Sequence, residues 1–176
     1  ANLFGFSRPV RPGERPDWFL SHSWHDEPAA KYALMTRLAE AFHEAHGRWP
    51  TLWLDKVCID QGNIGDGLKV LPVNVMACRR VVVLCGATYP QRLGCALELF
   101  VLCSFVRDQG EEALRQRVEI SLVGGSGDAA AALASFSVEA ARCYDPNEEQ
   151  RLRNVIQLLG VNRFNERIRK LAAVCT

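Results

Sequence analysis

Strand-like and helix-like segments alternate about five times along this chain of 176 residues, and this alternation limits the possible folds more than any other feature. The clearest strand is the run RVVVLCG at residues 80–86, which is continuous, β-branched and bounded by Arg80 and Gly86. The other predicted strands are residues 17–21, 51–55, 117–123 and 138–144. Because strands that alternate with helices pair in parallel, we expect an α/β fold with a five-stranded parallel sheet and helices on both faces.

The predicted helices lie between and after these strands. Apolar residues recur at helical spacing over residues 31–46, with Asp26 as a candidate cap and Pro28 in the first turn. Further helices are expected at residues 68–78, 92–106, in the alanine-rich segment after GGSGD, and at 147–174, as one helix or as two that break near Gly160. We assign the Pro- and Arg-rich residues 1–16 to a lead-in or linker, and residues 17–176 to one domain that includes the C-terminal helix.

Charge and cysteine content narrow the class of function. The formal net charge is +1, whereas proteins that bind nucleic acid or acidic membranes need a basic excess, so we expect neither partner. No apolar stretch reaches the length that spans a bilayer. The seven cysteines are irregularly spaced, form no CxxC pair and lie partly in apolar runs, which predicts buried thiols in a cytoplasmic protein.

Three loops are expected at the ligand-binding end of the sheet, because ligands of such folds bind outside the carboxyl ends of the strands. They are HSWHDEP after the first strand, DKVCIDQGNIGDG after the second and GATYPQ after the third. The helix that follows the third loop carries a single formal charge between residues 93 and 106, Glu98, which stands between Leu97 and Leu99. A carboxylate is seldom buried without compensation, so Glu98 is the main candidate for a functional residue.

Three stretches resemble parts of TIR (Toll/interleukin-1 receptor) domains, in the same order and spacing. DWFLSHSWHDE is similar to the first strand and its serine-containing turn, and LWLDKVCIDQGNIGDGL to the second strand and the long loop after it. VVVLCGATYPQRLGCALEL resembles the strand, loop and helix in which enzymatic TIR domains carry their catalytic glutamate, in a pattern like WCxxEL. WLDKVCIDQ also resembles the signature of fungal heterokaryon-incompatibility domains. The resemblance spans roughly residues 17–144.

The resemblance implies a flavodoxin-like three-layer sandwich and one of two functions. Some members hydrolyse NAD+ as a substrate, without a cofactor, and release nicotinamide and ADP-ribose or a cyclic form of it. Others are non-catalytic interaction modules of immune or cell-death signalling. Members associate through their helices and the loop after the second strand, here residues 56–66, so self-association is also expected. A nucleoside deoxyribosyltransferase-like enzyme is a third alternative, because it shares the fold type and the glycosidic chemistry.

Glu98 is the catalytic carboxylate by this resemblance. Cleavage of the nicotinamide–ribose bond builds positive charge on the ribose, and a carboxylate beside the sugar stabilises that charge most strongly in apolar surroundings. The alternative is a structural role, in which Glu98 pairs with Arg79, Arg80 or Arg92. We favour the catalytic role and expect an NAD+ hydrolase.

The main departure from the family pattern is Gly94, which stands where the family has Trp. Glycine removes one wall of the pocket, so either another aromatic residue replaces it, with Trp24 and Tyr89 as the candidates, or the site is degraded. The full set of predicted substrate-binding residues is Ser21, His22, Ser23, Trp24, Asp55, Gly62 and Tyr89.

The second loop offers two further groups. Asp55 is expected to take a ribose hydroxyl or to cap its loop, and Gly62 belongs to a glycine-bearing segment that either cradles phosphates at a helix start or serves turns. His22 and His25 lack a third spaced ligand, so no metal site is expected. No GxGxxG, Walker motif or nucleophile elbow occurs, which argues against Rossmann-type redox chemistry, ATP hydrolysis and serine-hydrolase chemistry.

Overall fold

A computed structural model describes residues 3–59, 70–106, 110–125 and 127–175. Within these ranges, one sheet contains the parallel strands β1 (Trp18–His22), β2 (Leu52–Trp53), β3 (Arg80–Cys85) and β4 (Val118–Leu122), in the order β2-β1-β3-β4. In the register, Phe19 of β1 lies beside Trp53 on one side and beside Val81 on the other. The chain steps from β1 outward to β2 and returns to the other side of β1 with β3, so strand order reverses between β1 and β3. A ligand site is expected outside the carboxyl ends of these two strands.

Helices of very different length connect the strands and cover the sheet. In chain order they are α1 (Pro28–His46), α2 (Asp55–Cys58), α3 (Leu71–Ala77), α4 (Leu93–Val106), α5 (Gly110–Arg117), α6 (Gly127–Ala134), α7 (Pro146–Leu159) and α8 (Val161–Cys175). Short 3-10 turns lie at Leu3–Phe6, Tyr89–Gln91 and Val123–Gly125. None of the described helices is both long and apolar enough to cross a membrane.

Side chains that alternate along β1 and β3 build a core on each face of the sheet, because successive residues of a strand point to opposite faces. One core joins Trp18 and Leu20 of β1 to Leu34 of α1. The other joins Phe19 of β1 to Leu99 of α4 and to residues of α3, α6 and α8. The α/β fold with helices on both faces of a parallel sheet, predicted from the alternation, is confirmed.

The predicted fifth strand is wrong, since the described sheet has four strands. Residues 138–144 form only one isolated bridge, between Arg92 and Arg142. At the start of this segment, the backbone of Val138 bonds to side chains of neighbouring helices. The amide of Val138 donates to Asn165 Oδ1 of α8 (2.9 Å), and Arg153 of α7 donates to the carbonyl of Val138 (3.2 Å). With these partners, the segment needs no adjacent strand.

Two helix ends show how local chemistry sets the boundaries. The predicted cap Asp26 is wrong, because Glu27 caps α1 by accepting hydrogen bonds from the amides of Ala29 (2.9 Å) and Ala30 (2.5 Å). The C-terminal pattern resolves into two helices, and Gly160 ends the first of them with a positive φ of 88°. Only glycine adopts such a conformation without strain, so the break between the two helices lies at Gly160, as predicted.

The N-terminal lead-in runs along the body of the fold. Arg15 Nε donates to the carbonyl of Ala77 (3.1 Å), and the carbonyl of Pro16 accepts from the amide of Arg79 (2.8 Å). These bonds connect the lead-in to the end of α3 and the start of β3. The division of the chain at residue 16 stays a prediction.

Candidate functional site

Glu98 lies in the second turn of α4, and its side chain reaches the carboxyl half of β1. Ser21 Oγ of β1 donates to Glu98 Oε2 (2.5 Å) and also lies 2.7 Å from the hydroxyl of Tyr89. Ser21 and Tyr89 are buried, whereas Glu98 keeps part of its side chain exposed. One neutral hydroxyl therefore holds the carboxyl group, with a second hydroxyl behind it.

The surroundings of Glu98 favour its neutral form. Burial raises the pKa of Glu98 to about 8 from an ordinary value of 4.5; the hydrogen bond from Ser21 lowers the pKa, and the nearby Asp55 charge raises it. Burial dominates because a carboxylate loses hydration that one hydroxyl does not replace. At pH 7 the folded chain therefore holds Glu98 largely as the protonated acid.

The arginines considered as structural partners of Glu98 include two that lie at the opposite end of the sheet. Arg79 Nε is 3.9 Å from Asp17, and Arg80 Nη1 is 2.9 Å from Glu119. These four residues line a larger cavity of about 490 Å³, whose carboxylates are thus already engaged in ion pairs. Within the described ranges no ion pair connects Glu98 to a lysine or arginine. We therefore assign the site to the cleft beside Glu98 and not to the larger cavity.

The cleft beside Glu98 has a volume of about 250 Å³. It is walled by the end of β1, the start of α2, the first turns of α4 and the segment before α7. Gly94 lies in this wall, and a Cβ atom built there would have no heavy atom within 4 Å. The glycine thus leaves open space where the family pattern places Trp.

The loop after β1 supplies an aromatic wall. Trp24 is 42% exposed, and its Nε1 donates to Asp55 Oδ2 (3.0 Å). The ring of His22 contacts the indole at 4.2 Å between centroids, and Lys56 Nζ lies 4.0 Å from the ring centroid. Burial lowers the pKa of His22, so the imidazole is neutral at pH 7. The predicted residues His22, Trp24 and Asp55 are thus brought together with Glu98 in one cleft.

Ser23 takes part in a buried network that joins the loops after β1 and β3. Its Oγ lies 2.7 Å from Thr88 Oγ1, and the carboxylate of Asp26 accepts hydrogen bonds from the amide and hydroxyl of Thr88 (2.8 Å each). The carbonyl of Ser23 accepts from Lys31 Nζ (2.6 Å). Gly86 packs so closely on Asp26 that a Cβ atom there would clash with the carboxylate. Ser23 lines the cleft, but its hydroxyl is engaged in this network.

Of the other predicted substrate-binding residues, Tyr89 lies away from the cleft surface and Gly62 is not described. Tyr89 is fully buried behind Ser21 and is not among the residues that line the cleft, so it does not replace the missing aromatic wall. Gly62 lies outside the described residues, and its role stays a prediction. Tyr144, which was not predicted, lines the cleft and is 90% exposed. Its position at the carboxyl end of the last predicted strand was a signal, since the carboxyl ends of strands form the site.

Two cysteines also line the cleft. Cys95 Sγ donates to the carbonyl of His22 (3.5 Å), and burial raises the pKa of Cys95; burial also raises the pKa of Cys143 to about 11. Both thiols are therefore protonated at pH 7, and neither is prepared for nucleophilic attack. Among the residues that the structure describes, no group of three His, Cys, Asp or Glu side chains is arranged to hold a metal.

No family model and no curated protein matches the chain. Among solved structures, the chain is similar to the TIR domains in the structure of the activated Roq1 resistosome, which is described as directly recognizing the pathogen effector XopQ. The TM-score is 0.51 at 17% identity, over 90% of this chain and 84% of that chain. The chain therefore has a TIR-like fold, which confirms the resemblance at the level of the fold.

Proposed function

We propose that this chain is an NAD+ glycohydrolase, which cleaves the bond between nicotinamide and ribose. The observation that carries the proposal is Glu98, a carboxyl group with a pKa of about 8 that a single serine holds at the edge of a cleft. A strongly perturbed acid in a cleft, without an ion-pair partner in the described part of the chain, is typical of catalysis and is costly for a structural residue.

The charge of the substrate fits this acid. The nicotinamide ring of NAD+ is cationic, and a cation next to Glu98 favours the ionised carboxylate and lowers its pKa. As the C–N bond breaks, its electron pair leaves with neutral nicotinamide and positive charge develops on the ribose. The carboxylate, oriented by Ser21, stabilises that charge in surroundings of low polarity. Attack by water on the ribose gives ADP-ribose, and attack by an adenine nitrogen gives a cyclic product.

Two aromatic side chains that could contact the bases line the same cleft as the carboxyl group. Trp24 and Tyr144 are exposed in the cleft and offer flat surfaces for stacking. The open space at Gly94 gives room for a ring where the family has Trp. The departure at Gly94 is therefore compatible with an active site whose aromatic walls come from other elements.

The reaction is tested by incubating the purified chain with NAD+ and measuring free nicotinamide. We expect release by the unchanged chain, loss of release in Glu98→Gln, and full release in Glu44→Gln, the same substitution at an exposed position of α1. Absence of release at high enzyme concentration, or equal release by all three proteins, would overturn the proposal. Addition of a free base with analysis for base exchange separates hydrolysis from deoxyribosyltransferase-like chemistry.

We propose self-association as a second function, and an exposed apolar face of α7 favours it. Val155 is 45% exposed and Leu158 is 90% exposed, one turn apart on the same helix. Light scattering over a concentration series should show a growing mass, which Leu158→Asp suppresses and Gln150→Asp, a polar control on the same helix, leaves unchanged. Nicotinamide release per molecule should rise over the same range. A mass that stays at that of the monomer over the whole series would overturn the proposed self-association. The cleft of a single chain would then be the complete site.

The loop after β2, which was expected to take part in assembly, lies largely outside the described residues. A cytoplasmic location stays a prediction. A chain with the TIR-like fold but without nicotinamide release would be an interaction module, the other function that the resemblance implies. The assay of Glu98 and the light-scattering series distinguish the two functions.

A further inference from the structure

Two arginines stand next to each other at the rim of the Glu98 cleft. Arg92 directly precedes α4, and Arg142 lies in the segment that was predicted as a fifth strand. The amide of Leu93 donates to the carbonyl of Arg142 (3.1 Å), and the amide of Arg142 donates to the carbonyl of Gln91 (2.9 Å). Both arginines line the cleft. Backbone pairing therefore fixes the two points from which both guanidinium groups extend.

The charges of these arginines are poorly compensated. Arg92 forms no ion pair with any described residue, and its buried Nε has no hydrogen-bond partner there. Arg142 Nη1 donates to the carbonyls of Glu139 and Ala141, and its Nε is 4.0 Å from Glu149. The Glu149 carboxylate also forms an ion pair with Arg153 at 2.9 Å, so its negative charge is divided between two arginines. Two guanidinium groups thus keep capacity for an anion.

The acids of the cleft do not cancel this positive charge. Glu98 is largely neutral at pH 7, and Asp55 accepts hydrogen bonds from Trp24 and from the Lys56 amide. Glu148 lines the cleft too, and burial raises its pKa. The two arginines can therefore bind an anion at the rim of the cleft. A cationic group would bind next to Glu98.

We propose, on the basis of the function above, that Arg92 and Arg142 bind the diphosphate of a nicotinamide dinucleotide. Guanidinium groups bind phosphate oxygens in a planar, two-pronged geometry that few other side chains match. The diphosphate follows the nicotinamide riboside in the substrate, so its capture at the rim places the riboside toward Glu98. The enzyme is then selective for dinucleotides over nicotinamide riboside, which carries the same bond but no phosphate.

The test compares two substrates. For Arg92→Gln and for Arg142→Gln we expect kcat/KM for NAD+ to fall about 10- to 100-fold, the usual range for one charge-assisted hydrogen bond, while kcat/KM for nicotinamide riboside stays unchanged. Arg92→Lys keeps the positive charge but not the planar guanidinium group. Its kcat/KM for NAD+ should lie between the values of the unchanged chain and of Arg92→Gln. Arg37→Gln, an exposed control on α1, should change neither value. Equal losses on both substrates, or no loss on either, would overturn the proposal.

A binding measurement separates this proposal from the proposed reaction. Calorimetry of ADP-ribose with Glu98→Gln reports the diphosphate contacts without turnover, and inorganic pyrophosphate should compete. If the unchanged chain releases no nicotinamide but ADP-ribose binding weakens at least 10-fold on loss of either arginine, the reaction fails and the subsite stands. If nicotinamide is released and both arginine variants bind ADP-ribose normally, the subsite fails and the reaction stands. Melting curves of each variant confirm that it is folded.

Discussion

Replacement of Glu98 by Gln should abolish activity and also stabilise the fold. Gln has the shape of the protonated acid, and its amide oxygen can accept the hydrogen bond that Ser21 Oγ donates to the carboxyl group over 2.5 Å. It has no charge to bury. The folded chain holds Glu98 with a pKa of about 8, whereas the ordinary value is 4.5. Between these two pH values, unfolding releases a proton, so the free energy of unfolding falls as pH rises.

The size of the effect follows from the two pKa values, at about 1.4 kcal/mol for each pKa unit. The free energy of unfolding of the unchanged chain should be lower than that of the Gln variant by roughly 1 kcal/mol at pH 5, about 3 kcal/mol at pH 7 and about 5 kcal/mol above pH 9. The stabilising effect of the neutral acid is complete below pH 4.5 and lost above pH 8. These values are upper limits, because the site relaxes around a buried charge.

Urea unfolding at pH 5, 7 and 9 measures the difference between Glu98→Gln and the unchanged chain. We expect a stabilisation that grows with pH and reaches at least about 2 kcal/mol at pH 7. Glu44→Gln, at an exposed position, should show none. A difference that is constant with pH, or a Gln variant that is less stable at pH 9 than the unchanged chain, would mean that Glu98 is ionised and compensated in the fold. The catalytic reading would then lose its main support.

Three further changes test neighbouring parts of the site. Ser21→Ala removes the hydrogen bond that lowers the pKa of Glu98, so the midpoint of the rising kcat/KM–pH profile of the proposed reaction should move upward by about 1 pH unit. Gly86→Ala should lower the urea unfolding free energy by about 2 kcal/mol through its clash with Asp26, whereas Gly94→Ala, in open space, should raise it by up to about 1 kcal/mol. Trp24→Ala should raise KM for NAD+ about 5- to 50-fold through lost stacking, with a smaller change in kcat; an unchanged KM would exclude the stacking role.

The layers of the fold could be predicted because strand and helix periodicity follow from burial. Between Arg80 and Gly86 the run is apolar, since β3 is covered on both faces, and its neighbours pair with it in parallel. The segment at residues 138–144 has a similar apolar fraction, yet the backbone of Val138 bonds to the side chains of Asn165 and Arg153 on the two C-terminal helices. Periodicity carries no information about such partners. The fifth strand was therefore beyond what the sequence could decide.

The site was predictable where it is local in sequence. Ser21, Trp24, Asp55 and Glu98 follow or end predicted strands or begin the next helix, and the carboxyl ends of parallel strands converge. Tyr144 escaped prediction because it comes from the segment whose structure was wrong. The bonding of Asp26 to the loop after β3 also could not be foreseen, since an acidic residue before a helix usually caps it.

The pKa of Glu98 connects the stability of the fold to the selectivity of the proposed reaction. A carboxyl group that is neutral in the folded chain repels no anion, so the diphosphate of a dinucleotide can approach the cleft. A cationic ring beside it then makes ionisation favourable, and the charge appears only when the substrate that needs it is bound. NADH carries the same diphosphate and the same glycosidic connection, but its nicotinamide ring is neutral and therefore does not lower the pKa of Glu98. Under the proposed function, the burial that costs the fold several kcal/mol at high pH would also let one acidic side chain distinguish the oxidised dinucleotide from the reduced one.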